Sequence, residues 1–470
     1  MKLKKTKTIT IVLLLLLVTF APAIAEDTPA TKLLKARTAE FDTEIIKVTD
    51  NIYTAIGYSV SAVSMVIGTD GIIIIDTGMD TISAKEVLAD FRKITTKPVK
   101  AIILTHSHGD HTGGIPVFSA DTNPQIWACE NFGSETEPLA KAGLTIQNKR
   151  GARQGGFMLP PEKRINNGVA KAYWPKRGGD VFKTAKNLKP TNTFNALRKK
   201  MNIAGVNIEL VAIDGETTDA LYVWLPDHKT LFAGDNFYKS WPNLYAIRGT
   251  MYRDILAWAD SVDQMLNESP EFLVPGHTRP VIGKTKINDM MTDYRDAIRF
   301  VFDKTIEGMN KGLTPNELVE YVKLPERFAN KDYLREYYGN TQWAVRQIFN
   351  AYLGWFDGNP TNLFPLLPKD EAQRIAQLAG GKGNLLSQAR QAIQTADYQW
   401  AAQLADYLIT LEPDASEPKL IKATALEHLA ENILTATGRN YYLTCVQELR
   451  NAAGKTQAND KQKTSKQTQE

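Results

Sequence analysis

Three of the six histidines in this 470-residue chain, His106, His108 and His111, fall within six positions of "ILTHSHGDHTGG", with Asp110 among them. Imidazoles used as structural filler would be scattered, whereas donors crowded at this spacing can converge on a metal ion. In the pattern H-x-H-x-D-H, His106 and His108 can serve one ion and Asp110 and His111 a second. His228, in the polar turn "LPDHKT", reads as an exposed residue, and His428 on a C-terminal helix receives no role.

The elements that must carry these donors are legible around them. From 43 to 80, short β-rich runs alternate with turns, "EIIKVTDNIYTAIG" and "AVSMVIGTDGIIIIDTG", with "TDG" turning between two strands. "ISAKEVLADFRKIT" (82–95) has helical periodicity. "VKAIILTH" (99–106) reads as a buried apolar strand ending at the histidines, with "TGG" opening the next helix. A second set follows: strands at 206–213, 220–226 and 230–235, a helical "YRDILAWADSVDQMLN" (252–267), and the strand "EFLVPGH" (271–277). Two β-rich halves carrying helices describe an α/β fold, a four-layer αβ/βα sandwich in which ligands from strand ends and loops meet along one edge.

Between the halves, 131–200 is rich in Gly, Lys, Pro and Asn and reads as long loops over the site. Its basic excess fits an anionic substrate or, equally, a solvated excursion. Beyond about 290 the texture changes to long amphipathic helices, and the segment from "LLSQARQAIQ" to "AENIL" resembles a pair of tetratricopeptide-like hairpins. Too few for a solenoid, they should pack on a neighbour or on a second subunit. The polar stretch from Gly454 is expected to be disordered.

Lys2, Lys4, Lys5 and Lys7 precede the apolar run "ITIVLLLLLVTFAPAIA", the pattern of a secretory signal peptide cleaved before Glu26; the rival reading is an uncleaved anchor. Those four lysines account for the whole excess of 56 basic over 52 acidic residues, so the mature protein is about neutral and nothing supports nucleic-acid or anionic-membrane binding. Cys129 and Cys445, far apart, indicate no disulfide framework. The expected organisation is a signal peptide (1–25), a catalytic domain (26–290), an all-α domain (291–453) and a disordered tail (454–470), in a periplasmic or secreted protein without a stable membrane anchor.

The H-x-H-x-D-H motif, with "IIIIDTG" upstream, resembles the metallo-β-lactamase superfamily. That resemblance implies that Asp76 orients a ligand histidine; its alternative role is to cap the following turn. It implies three more ligands: Asp235, ending "TLFAGD", as the bridging carboxylate; His277, ending "EFLVPGH"; and Glu216 in "DGETTD", where a histidine is usual. Glutamate there, followed 19 residues later by a carboxylate, is similar to the secreted alkylsulfatases. The similarity continues through "NFYKSWPNLYAIRGTMYRD", where Asn243 and Arg248 match sulfate-holding positions. It extends into "GNPTNLFPLLP", "ADYQWAAQLADYLI" and "NYYLTCVQELR", which look like the alkylsulfatase dimerisation domain and imply a homodimer. Asp235 departs from the glutamate usual in that family. The chain is also expected to lack the sterol-carrier-like domain of longer members, which puts long-chain detergent substrates in question.

By this resemblance the protein is expected to be a binuclear zinc hydrolase of alkyl sulfate esters, with Asp110 and Arg248 catalytic and a small sulfate ester as substrate. Asp110, Glu216, Asp235 and a hydroxide would cancel the charge of two zinc ions, so Arg248 would select the anion by paired, charge-assisted hydrogen bonds. One alternative is hydrolysis of another ester, lactone, thioester, lactam or phosphoester. A second is a helical scaffold with a vestigial metal domain. Cleavage at S–O or at C–O is left open.

Overall fold

Four consecutive isoleucines, Ile72–Ile75, are all buried because each face of their strand meets a different layer. Ile73 and Ile75 point toward a second sheet, while Ile72 and Ile74 point toward the helix Thr81–Ile94. A side chain buried in this way contributes roughly 1.5–3 kcal/mol. The computed structural model describes residues 26–171 and 189–467. Residues 1–25, expected to form a signal peptide, lie outside the described residues.

The first sheet runs β1 (Glu44–Thr49), β2 (Ile52–Ile56), β3 (Val63–Ile67), β4 (Ile72–Ile75), β5 (Val99–Ile103), β6 (Gln125–Cys129) and β7 (Asn192–Phe194), in that spatial order. Its first four strands pair antiparallel and its last four parallel. The second sheet, in chain order, is β8 (Arg198–Ile203), β9 (Val206–Ala212), β10 (Leu221–Leu225), β11 (Thr230–Gly234), β12 (Phe272–Pro275) and β13 (Val281–Ile282), and its strands also neighbour in sequence order. Strands β4, β5, β11 and β12 all end at the same edge, where the candidate ligands sit.

Between the sheets lies a core of Val66, Ile103, Leu210, Val223, Phe232 and their neighbours. Helix Thr81–Ile94 covers the outer face of the first sheet. Ala84, Val87 and Phe91 recur at helical spacing on its buried side, and Asp80 caps it by accepting from the N–H groups of Ile82 and Ser83, 2.9 Å each. The outer face of the second sheet is covered by Ile255–Asn267 and Lys284–Asn310, through Trp258, Val262, Tyr294 and Ile298. The αβ/βα layering is therefore present.

Several boundaries differ from expectation. Helix Lys284–Asn310 runs straight across the domain boundary placed at 290, because its apolar stripe belongs to the sandwich core at one end and to the helical region at the other. The histidine loop turns helical at Gly109–Thr112, before "TGG". Gly114 is required for another reason: a Cβ there would sit 2.0 Å from the Thr77 carbonyl oxygen. The segment 131–200 is not all loop. It holds helices Thr136–Lys141 and Ile146–Gln154 and strand β7, whose polar composition hid them.

In the C-terminal region, helices Pro368–Leu378, Lys382–Gln394, Tyr398–Leu411 and Ser416–Glu431 pack through Ala389, Ala401, Ala405 and Ala425, small residues that let helices approach closely. The last helix, Ala436–Gln467, extends into the polar stretch that begins at Gly454. No helix among the described residues is long and apolar enough to cross a membrane.

Candidate metal centre

All seven predicted ligands converge. Asp235, at the end of β11, has Oδ2 3.0 Å from His277 Nε2 and Oδ1 3.3 Å from His111 Nε2, and His106 Nε2 lies 3.9 Å from Oδ2. Asp110 Oδ2 is 3.6 Å from both His111 Nε2 and His277 Nε2. His108 Nδ1 is 2.9 Å from His106 Nε2 and 3.7 Å from Glu216 Oε1. The donor atoms sort into clusters of metal-binding dimensions: His108, Glu216 and Asp235; His106, His111 and Asp235; and Asp110, His111 and His277. Gly276 makes the His277 loop's approach possible, since a Cβ there would lie 2.3 Å from Asp235 Oδ1.

Asp76 orients the histidines, as the family resemblance implied. Its carboxylate accepts from the Thr105 amide and hydroxyl, 2.8 Å each, and lies 2.8 Å from His111 Nδ1. The Thr105 hydroxyl, donating to Asp76, is 3.1 Å from His106 Nδ1. His277 Nδ1 faces the Val60 carbonyl at 2.8 Å. These partners are acceptors, so in each ring Nδ1 carries the proton and Nε2 presents a lone pair inward. Asp76 (φ 54°) and Thr278 (φ 68°) hold left-handed backbone conformations that cost energy, tolerated where loops are fixed around a site.

The donor set fits cations. His111 Nε2, Glu216 Oε2 and Asp235 Oδ1 are buried without a hydrogen-bond partner among the described residues. Lone pairs of imidazoles and carboxylates face one another with too few protons between them, an arrangement a divalent ion relieves. Burial presses the His106 pKa far down, reinforced by His111 and His108.

Sequence reasoning missed two charged residues here. Arg253 is 3% exposed, with Nη2 2.5 Å from Glu216 Oε1 and Nη1 donating to the Asn243 carbonyl oxygen at 2.5 Å. Glu135, 6% exposed, has Oε2 3.4 Å from His108 Nε2. Burial alone would raise its pKa, but His108, Arg253 and Arg248 together bring it to about 2. "YRD" and "SETE" carry no motif that marks either residue.

Burying Arg253 against Glu216 has a consequence for stability. In metal-free protein, Glu216→Ala strands a buried guanidinium and is expected to destabilise by roughly 3–5 kcal/mol. The check is the chemical-denaturation midpoint of the metal-free single variant against that of Glu216→Ala/Arg253→Met, which should recover most of the loss. Equal midpoints for wild type and Glu216→Ala would contradict this.

The donors open on a cavity of about 300 Å³ whose walls include Val60, Met79, Leu139 and Phe157. Arg248 is the sole arginine or lysine lining it among the described residues, with Nη2 3.3 Å from His108 Nε2. The basic residues of the covering segment turn elsewhere: Arg150 donates to the Ile247 carbonyl and Arg153 pairs with Glu448 at 2.5 Å. Among the described residues of this segment, no arginine or lysine lines the cavity. The segment's helix Ile146–Gln154 is clamped against Ala436–Gln467, and Tyr338 and Thr437 of the helical region reach the cavity wall.

Asn243 is buried and does not line the cavity, contrary to its expected placement against substrate. Its amide donates to Tyr238 Oη at 2.8 Å, its carbonyl is taken by Arg253, and Nδ2 has no partner. His428 stacks on Tyr398, ring centroids 4.2 Å apart, and His228 lies in the 226–228 turn; neither joins the cluster.

Comparison with known proteins matches both halves of the chain. Residues 57–277 match the metallo-beta-lactamase superfamily and residues 314–452 the family described as alkyl sulfatase dimerisation. The chain is 35% identical over 392 residues to a linear primary-alkylsulfatase of a Pseudomonas species, covering 82% of this chain and 73% of that protein. It is 31% identical over 426 residues to an (R)-specific secondary-alkylsulfatase of a Pseudomonas species, covering 86% of this chain but only 62% of that protein. The solved structure of the stereoselective inverting sec-alkylsulfatase Pisa1 from Pseudomonas sp. superimposes with a TM-score of 0.83 at 28% identity, over 91% of this chain and 69% of that one. Matched through its sandwich, its donor-bearing loops and its helical region alike, the chain belongs to the alkylsulfatase family of the metallo-beta-lactamase superfamily.

Proposed function

We propose that this protein hydrolyses alkyl sulfate esters to an alcohol and inorganic sulfate, using two zinc ions held by His106, His108, Asp110, His111, Glu216, Asp235 and His277. The observation that carries this reading is Arg248, a guanidinium on the wall of the cavity that four of the donors, His108, Asp110, Glu216 and Asp235, also line. Bound there, divalent cations supply acidified water and withdraw charge from ester oxygens.

The chain's own residues divide the remaining work. Arg248 anchors the sulfate with charge-assisted hydrogen bonds and fixes the ester against the donor cluster. Asp110, more exposed than Glu216 or Asp235, orients water at the cavity face. Val60, Met79, Leu139 and Phe157 give the alkyl chain an apolar wall. Glu216 is screened by Arg253, which limits the negative charge that an incoming sulfate meets.

A panel of short, long and secondary alkyl sulfates, assayed for sulfate release alongside zinc quantification, tests the proposal. No sulfate from any of them with metal-replete protein would defeat it. Hydrolysis in isotope-labelled water separates the two bond cleavages, with label in the sulfate for S–O and in the alcohol for C–O.

We further propose a homodimer, exported by the N-terminal leader to the periplasm or beyond. Its support is the segment "GWFDGNPTNLFPLLP", within the dimerisation match, where Trp355 is 71% and Phe364 92% exposed in the single chain. Trp355→Asp/Phe364→Glu is expected to sediment as a monomer while wild type sediments as a dimer. A dimer that survives both changes would move the interface elsewhere.

A further inference from the structure

Four imidazoles face the donor cluster, and three of them have their proton placed by an identifiable acceptor on the far side of the ring. His111 has Asp76, His106 has the Thr105 hydroxyl, and His277 has the Val60 carbonyl. His108 is turned the other way round. Its Nδ1 faces His106 Nε2 and Glu216, so for Nδ1 to ligate a metal the ring proton has to sit on Nε2. Two groups compete for Nε2: Glu135 Oε2 at 3.4 Å and Arg248 Nη2 at 3.3 Å. A guanidinium only donates and a carboxylate only accepts. If Arg248 donated to Nε2, the proton would sit on Nδ1 and block the inward lone pair. If Glu135 accepts from Nε2, Nδ1 is free to ligate and Arg248 is released from the ring.

We infer that Glu135 is a positioning residue: its carboxylate accepts a hydrogen bond from the Nε2–H of His108, leaving Nδ1 free toward the metal and the Arg248 guanidinium free for the anionic substrate. The inference rests on the metal-dependent reading above. Glu135 is built for this task. Its segment is tied down by the Gly133 amide donating to Asp219 at 2.7 Å and by a 2.9 Å hydrogen bond between the Ser134 and Thr218 hydroxyls, and its Oε2 is buried with no hydrogen-bond partner of normal length. One carboxylate thereby links metal binding to readiness of the anion site, since a ligated His108 has no lone pair left to hold Arg248.

The test is zinc titration of chelator-treated full-length protein by calorimetry, for wild type, Glu135→Ala, Glu135→Gln and His108→Ala. The last identifies the binding step that belongs to the His108 cluster. Wild type should take up two equivalents. Glu135→Ala should weaken the His108 step by roughly 10–100-fold, the range for loss of a histidine's outer partner, and leave the other step unchanged. Glu135→Gln, which keeps an acceptor oxygen without the charge, should recover much of that loss. The inference is overturned by unchanged affinity in Glu135→Ala, by equal losses in Ala and Gln, or by parallel weakening of both steps. If Glu135→Ala does not fold, Glu135→Gln alone decides: a small loss confined to the His108 step supports the inference and a loss shared by both overturns it. A wild type that binds no zinc would instead sink the metal-dependent reading itself.

Discussion

Arg248→Ala is expected to lower kcat/KM for alkyl sulfates by about 10²–10³-fold, the scale for removing one preorganised donor from a transition state, while zinc content stays at the wild-type level. The two readouts separate because Arg248 belongs to none of the metal-sized clusters, yet is the sole arginine or lysine on the cavity wall among the described residues. A single ion pair in water would not earn such an effect. In a cavity walled by Val60, Met79 and Phe157, with buried carboxylates behind the donors, the sulfate has few other cationic partners and the contact is worth more. Arg248→Lys should recover only part of the loss, since an ammonium cannot make two parallel bonds to one sulfate. Steady-state kinetics on an alkyl sulfate and on a neutral ester, with metal quantified in each sample, give the answer. Unchanged sulfate release would remove the anion anchor from the proposal. Loss of sulfate release with turnover of the neutral ester retained is the expected selectivity, and a protein that turns over only the neutral ester even before mutation would favour a different bond.

What could be read in the sequence was what is local. His106, His108, Asp110 and His111 are neighbours in the chain, and Asp76, Asp235 and His277 each end an apolar strand, so one edge of the sandwich had to collect them. Glu135 and Arg253 were invisible for the opposite reason. Arg253 meets Glu216 across 37 positions and Glu135 meets His108 across 27 (135 − 108), and no short motif encodes such separations. The same applies to the clamp between the flap and the helical region, where Arg153 and Glu448 lie 295 residues apart. Strand β8, "RKKMNI", escaped notice because it is an edge strand with most side chains exposed, so no apolar alternation marks it. Helix Ile146–Gln154 buries only Ala152 and Gln154, too little for an amphipathic stripe to appear.

Asp235→Asn should cost more than any other single change considered. It is the residue that both halves of the donor set share, within 3.9 Å of His106, His111 and His277 and in one cluster with His108 and Glu216. Asparagine keeps the shape but removes the charge and turns one of the two acceptor oxygens into a donor, pointed at imidazole lone pairs already short of protons. In the proposed two-zinc centre, each ion would then lack a ligand. With several kcal/mol of transition-state stabilisation assigned to the metals, and 1.36 kcal/mol for each factor of ten, sulfate release should fall about 10³–10⁴-fold. Zinc content after dialysis should fall with it. Asp235→Glu, the carboxylate usual in the family, restores the charge but adds a methylene beside Gly276, whose backbone leaves no slack against Asp235. It should therefore bind zinc better than the asparagine variant yet turn over more slowly than wild type. Zinc retained at two equivalents in Asp235→Asn, with activity near that of wild type, would mean that the ions are not shared through this residue and that the paired-cluster geometry must be redrawn.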